Sequence, residues 1–188
     1  MMAASFALVA GVALAGCGGD ESGGGGDTSV DEWAGGVCTA VGTWVTDIQA
    51  RAADFQTAVG DVTDPAAAKA QLATFADEVV AQTDTMLSGV EAAGEPDVDD
   101  GQQLAADLNT GLAAIKPVFE QLKTGVAALP TDSPEAFTAA ADELTATLNQ
   151  GMETFSTSFD EVSTKYQSDE LEQAFADNDA CKAISGST

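Results

Sequence analysis

From about residue 31 onward, apolar positions recur every three or four residues, and no stretch alternates as a strand would. A first helical stripe runs through Val37, Val41, Trp44, Val45, Ile48, Ala52, Phe55 and Val59, with Gly60 as its stop. Asp64-Pro65 opens a second helix, a capping side chain followed by proline at the first helical position. Its stripe is Leu72, Phe75, Val79, Val80, Met86, Leu87 and Val90, and Gly94 with Pro96 ends it. A third helix is expected from Asp99-Asp100, where Gln103 is placed to complete a capping box on Asp100, through Leu104, Leu108, Leu112, Ile115, Val118, Phe119, Leu122, Val126 and Leu129. Pro117 inside that run predicts a kink. Ser133-Pro134-Glu135 starts a fourth helix, with a stripe through Phe137, Ala141, Leu144, Leu148, Met152, Phe155, Phe159, Val162 and Tyr166. A short helix over Asp169 to Ala176 leads towards Cys181. The pattern predicts an all-α fold, an up-down-up-down four-helix bundle with a short C-terminal helix. A helix of about 28 residues is roughly 42 Å long, so the bundle is expected to be an elongated rod.

The first residues follow a different rule. MMAASFALVAGVALAG, residues 1–16, is an uncharged apolar run bounded by small residues, too short and too rich in Ala and Gly for a membrane span. It ends in Leu14-Ala15-Gly16-Cys17, which resembles the lipobox of bacterial lipoproteins. That resemblance implies a signal peptide over 1–16, diacylglycerol on the thiol of Cys17, and cleavage just before it. No Lys or Arg precedes Cys17, a departure from the lipoprotein pattern that a true start upstream of Met1 would explain, the alternative being an accidental match in a chain that is not exported. The stretch GGDESGGGGDTSVDE that follows has nothing to pack, so residues 17–32 read as the lipidated cysteine and a flexible tether, and 33–188 as the helical domain. Two acyl chains on one residue anchor stably.

With Cys17 lipidated, Cys38 and Cys181 remain, and two cysteines in an exported protein read most simply as one disulfide. The bond would staple the first helix to the C-terminal tail and close a loop of about 144 residues, worth up to about 5 kcal/mol on the chain-entropy estimate. The alternative, a redox pair, lacks both Cys-x-x-Cys spacing and a basic neighbourhood to lower a thiol pKa.

Composition narrows the chemistry. Apolar residues make up 45% of the 188, enough for a core, while 31 acidic residues against 6 basic ones give a net charge of −25. Such a surface repels nucleic acid phosphates and anionic headgroups, and attracts cations and basic proteins in a salt-dependent way. Its simplest reading is a set of solvated helix faces. The chain has no histidine, which removes the usual general base and the commonest transition-metal ligand, along with Ser-His-Asp, Cys-His and Glu-x-x-His sites.

Four candidate features can be weighed. Glu95-Pro96-Asp97-Val98-Asp99-Asp100-Gly101 is the densest acid cluster, but aligning Gly101 with the sixth position of an EF-hand puts Pro96 and Val98 where acids are needed. The motif fails, leaving an irregular oxygen site or acids that favour a helix N-terminus. Trp44, Met86, Pro117, Met152, Phe155 and Phe159 could line an apolar pocket near the Pro117 kink, although aromatic and Met stripes are more commonly core. Asp142-Glu143 and Asp160-Glu161 are adjacent, so on a helix they point about 100° apart and do not face each other as an acid/base pair. Trp33-Ala34-Gly35 and Tyr166-x-x-x-Glu170 resemble two short signatures of helical proteins exported by type VII secretion, but there Trp-x-Gly sits between two helices and here it precedes the first.

The lipobox, the Gly-rich leash, VCTAVGTWVTDIQ around Cys38, AAGEPDVDDGQQLAADL and the late Cys181 together resemble the small secreted helical lipoproteins of high-GC Gram-positive bacteria. The resemblance implies a location and a fold, and no catalytic residues. The expected protein is a lipid-anchored, non-enzymatic interaction or binding module on the extracytoplasmic face of the cell membrane. Its expected partners are the membrane, through Cys17, and other envelope proteins, but no nucleic acid and no cofactor or metal. Two alternatives are a carrier of an apolar ligand in a bundle cavity, and cation binding by the acidic surface.

Overall fold

The computed structural model describes residues 28–59 and 64–185; residues 1–27, which hold the expected signal peptide, Cys17 and most of the Gly-rich stretch, lie outside the described residues. The regular elements are helices: α1 (Val30–Val59), α2 (Pro65–Ala92), α3 (Gly101–Ala113), α4 (Lys116–Ala128), α5 (Pro134–Lys165), α6 (Asp169–Asp177) and α7 (Asp179–Ser185). None of the described helices is long and apolar enough to cross a membrane. The fold is all-α, with Cys38 and Cys181 joined in a disulfide.

Where proline follows a capping residue, the local sequence dictates the start. Asp64 accepts hydrogen bonds from the Ala66 and Ala67 amides (3.0 and 3.1 Å), and Ser133 accepts one from Ala136 (3.2 Å). The expected capping box on Asp100 does not form. Asp100 sits in the left-handed region (φ 59°) with no side-chain cap bond, and Gln103 turns instead to the Asp107 carboxylate at 2.8 Å. The cause is a tight turn in which the Gly101 amide donates to the Val98 carbonyl and the Pro96 carbonyl presses on the Gly101 Cα, where no Cβ would fit. Thr28 pairs with this turn through backbone bonds to Glu95 and Asp97.

α1 also begins inside the stretch assigned to the tether. Val30, Trp33, Ala34 and Val37 are all buried, so the folded unit reaches back to Thr28, and Trp33-Ala34-Gly35 lies within α1 rather than before it. The expected third helix is two helices. Pro117 has no amide to donate, and its ring excludes the carbonyl of Ala113, so the chain tightens into i→i−3 bonds from Ala114 and Ile115 and restarts as α4. Ile115, fully buried, is the pivot.

α1 lies along α2, α2 against α3 and α4, and α5 along α3 and α4, while α6 and α7 lie on α1. Glycines set the approach distances. Ala40 of α1 meets Gly89 of α2, and on α5 Leu144 covers Gly125 while Gly151 receives Val118 of α4. In the centre the Trp44 indole donates to the Thr83 hydroxyl (3.2 Å), which itself donates to the Val79 carbonyl (2.8 Å). The Trp44 ring packs on Phe119 with centroids 6.3 Å apart, tying α1, α2 and α4 together.

The tail holds two helices where one was expected. Asn178 ends α6 in an extended conformation and caps α7 by accepting from the Ala180 amide (3.0 Å), so Cys181 lies inside α7, its Cα 5.0 Å from that of Cys38. Replacing both cysteines, Cys38→Ser with Cys181→Ser, is expected to cost about 2–5 kcal/mol, measured by urea unfolding without reductant. An unchanged midpoint would show that the tail stays in place without the bond. Thr83→Val should cost about 1–2 kcal/mol by stranding the Trp44 N–H, with Trp44→Phe rescuing part of the loss in the double variant.

Candidate functional site

α5 ends at Lys165, and Ser168 restarts the chain by accepting a hydrogen bond from the Leu171 amide (3.2 Å). α6 therefore folds back over the start of α1, and a cleft of about 470 Å³ opens where these two helices meet α3 and the end of α5. Its walls are Trp33 of α1, Leu104 and Leu108 of α3, Val162 of α5, and Leu171 and Phe175 of α6. The polar groups come from Ser163, Tyr166, Gln167 and Glu172. Trp33 and Phe175 meet edge to face with centroids 5.8 Å apart, which fixes the inner end. A volume of this size with mostly apolar walls is within the range of small-molecule sites.

One wall is locked by a polar cluster. The Asp107 carboxylate accepts from the Lys165 ammonium (2.6 Å), the Tyr166 hydroxyl (2.6 Å) and the Gln103 amide (2.8 Å), which joins α3 to the end of α5. These three bonds, that from Lys165 foremost, hold the Asp107 pKa down at about 2. The same pairing raises Lys165, while burial and the bond to Asp107 raise Tyr166. The Lys165 ammonium also lies 4.8 Å from the Tyr166 ring centroid.

The six residues expected around an apolar pocket are not gathered in one place. Trp44 and Met86 share a groove of about 420 Å³ between α1 and α2, beside Gly36, Thr39 and Gly89. Pro117 is exposed at the first turn of α4. Met152 and Phe155 are half-buried on α5 against the core, and the side chain of Phe159 lies outside the described residues. At the kink Ile115 and Phe119 are buried in the core. The cleft lies further along the same stripe, where Val162 and Tyr166 continue it beyond the Met152 and Phe155 positions. Leu171 and Phe175 were not singled out from sequence, and Trp33 entered only as part of Trp33-Ala34-Gly35, although the spacing of Val30, Trp33, Ala34 and Val37 marked it as a core position.

The acidic turn makes no ring of ligands: Glu95 accepts from Gln102, and Asp97, Asp99 and Asp100 are exposed. Among the described residues no group of three His, Cys, Asp or Glu side chains could hold a metal ion. Asp142, Glu143, Asp160 and Glu161 are all exposed.

The Asp107 lock predicts a pH signature. Its carboxylate titrates at about 2 in the folded chain against an ordinary 3.8, so the stabilisation is complete above the unfolded value and is lost as pH falls through about 2. Asp107→Asn should lower Tm near neutral pH, and its difference from the parent should shrink below pH 3.8 and vanish near pH 2. A difference independent of pH would assign the effect to packing instead. Comparison of the chain with known protein families, characterised proteins and solved structures finds no match, so the resemblance to actinobacterial lipoproteins rests on its own residues.

Proposed function

We propose that this chain is a lipid-anchored, non-catalytic binding module on the extracytoplasmic face of a bacterial cell membrane, with the cleft roofed by α6 as its site. Leu14-Ala15-Gly16-Cys17 supports the anchor, and a chain without histidine lacks the most common general base, which favours a binding role over a reaction. Counted with α3 and α4 as one bent member, the helices read as an up-down-up-down four-helix bundle to which α6 and α7 add a cap. The net charge of −25 disfavours nucleic acid and leaves envelope proteins and small molecules as partners.

The observation that carries the reading is the cleft and its position. It opens beside Trp33, at the end of the domain where the leash begins. Eleven Cα–Cα steps lead from Cys17 to Thr28, so a fully extended leash lets the domain stand no more than about 40 Å from the bilayer surface. The mostly apolar walls favour a second reading, a carrier that holds an apolar ligand in this cleft.

Two measurements test this. Cys17→Ser should abolish labelling by a lipid precursor and release the chain from membranes, and continued labelling would refute the anchor. Native mass spectrometry of the exported chain should show an adduct that Ser163→Phe, which fills the mouth of the cleft, removes. A clean protein mass would favour a module for protein partners over a carrier.

A further inference from the structure

We propose that the cleft selects apolar molecules bearing a cationic end, amines or quaternary ammonium groups on a hydrocarbon body, over neutral and anionic amphiphiles. The inference rests on the reading of this cleft as the binding site and adds its chemical class.

Three observations converge. The first is the lining: Leu104, Leu108, Val162 and Leu171 with the rings of Trp33 and Phe175 suit a hydrocarbon body, while the Tyr166 ring at the border already carries the Lys165 ammonium. The second is the mouth, where Glu172 presents a carboxylate, Gln167 and Ser163 present neutral groups, and Asp169 and Glu170 stand exposed in the first turn of the same helix. The third is the deployment of the chain's own cations. All six are already committed: Arg51 to Glu78, Lys116 to Asp84, Lys123 to Asp77, Lys165 to Asp107, Lys69 to the Leu129 carbonyl, and Lys182 to the Asp177 carbonyl.

Lys165, the cation nearest the mouth, gives its ammonium to Asp107 and lies against the Tyr166 ring, so its charge is already balanced there before a ligand carboxylate or phosphate arrives. An anionic headgroup at the mouth would meet Glu172 and the field of a surface with a net charge of −25. A cationic headgroup would meet that field with the opposite sign, while its tail displaces water from Leu104, Leu108 and Leu171.

The test uses the full chain carrying Cys17→Ser, titrated by calorimetry below the micellar range with dodecyltrimethylammonium, dodecyl maltoside and dodecyl sulfate. The expected result is one saturable ammonium site about tenfold tighter than for the neutral probe, with no saturable sulfate site. Ser163→Phe, and independently Leu108→Phe from the opposite wall, should abolish it, with Tm checked for each variant. Glu172→Gln should reduce the ammonium-over-neutral ratio about threefold, and added salt should do the same. Equal binding of the three probes at a site that Ser163→Phe blocks would overturn the cationic class and leave the cleft standing. Ammonium binding indifferent to both Phe variants would overturn the cleft as the site.

Discussion

The link between Cys38 and Cys181 governs more of the molecule than any other contact. α6 and α7 have nine and seven residues, too few to persist as helices alone in water. They hold because α1 receives them. Gly42 admits Ile184, Gly35 leaves room for the Asn178 amide, and Trp33 meets Phe175 edge to face, while the disulfide fixes the register of all three contacts. With the tail removed, Trp33 would face water at the very end of the domain that the leash enters. Because α6 is also the roof of the cleft, the covalent bond that holds the tail sets the shape of the site.

Charge works against this compact state, and the chain spends its few cations where they oppose the repulsion most usefully. Arg51–Glu78 joins α1 to α2, Lys116–Asp84 and Lys123–Asp77 join α4 to α2, and Lys165–Asp107 joins α5 to α3. Most of these groups are about half exposed, so each pair contributes little alone. Their value lies in placement between helices whose remaining surface carries carboxylates. The cohesion itself comes from apolar burial around Trp44, Thr83, Ile115 and Phe119, at crossings where glycine brings the axes together.

What the sequence made legible follows from the range of the forces involved. The stripes of α2 and α5 and their starts at Asp64 and Ser133 are local, set by capping groups and proline within a few residues, and the structure keeps them. The break before Pro117 is local too, displaced to Ala114–Ile115 because the ring acts on the turn that precedes it. The early start of α1 and the left-handed Asp100 depend on distant partners, Phe175 for the one and Thr28 with Pro96 for the other. The disulfide was readable because few cysteines leave few pairings. The cleft was not, because Trp33, Leu104, Tyr166 and Phe175 come from four helices spread along the chain, whereas the bulky Met and Phe positions of α5 that suggested a pocket pack into the core.

The most perturbed carboxylate in the described structure, Asp107, clarifies what kind of site this is. An acid held at about 2 by three donors is a poor base, since protonating it would break the bonds that join α3 to α5. Its neighbours are equally committed: Tyr166 donates to it, and Lys165 is held in the ammonium form. A general acid or base must change protonation state during a cycle, and these three are paired against that near neutral pH. Their fixity serves a wall. It keeps the Tyr166 ring at one side of the apolar cleft while Trp33 and Phe175 close the other.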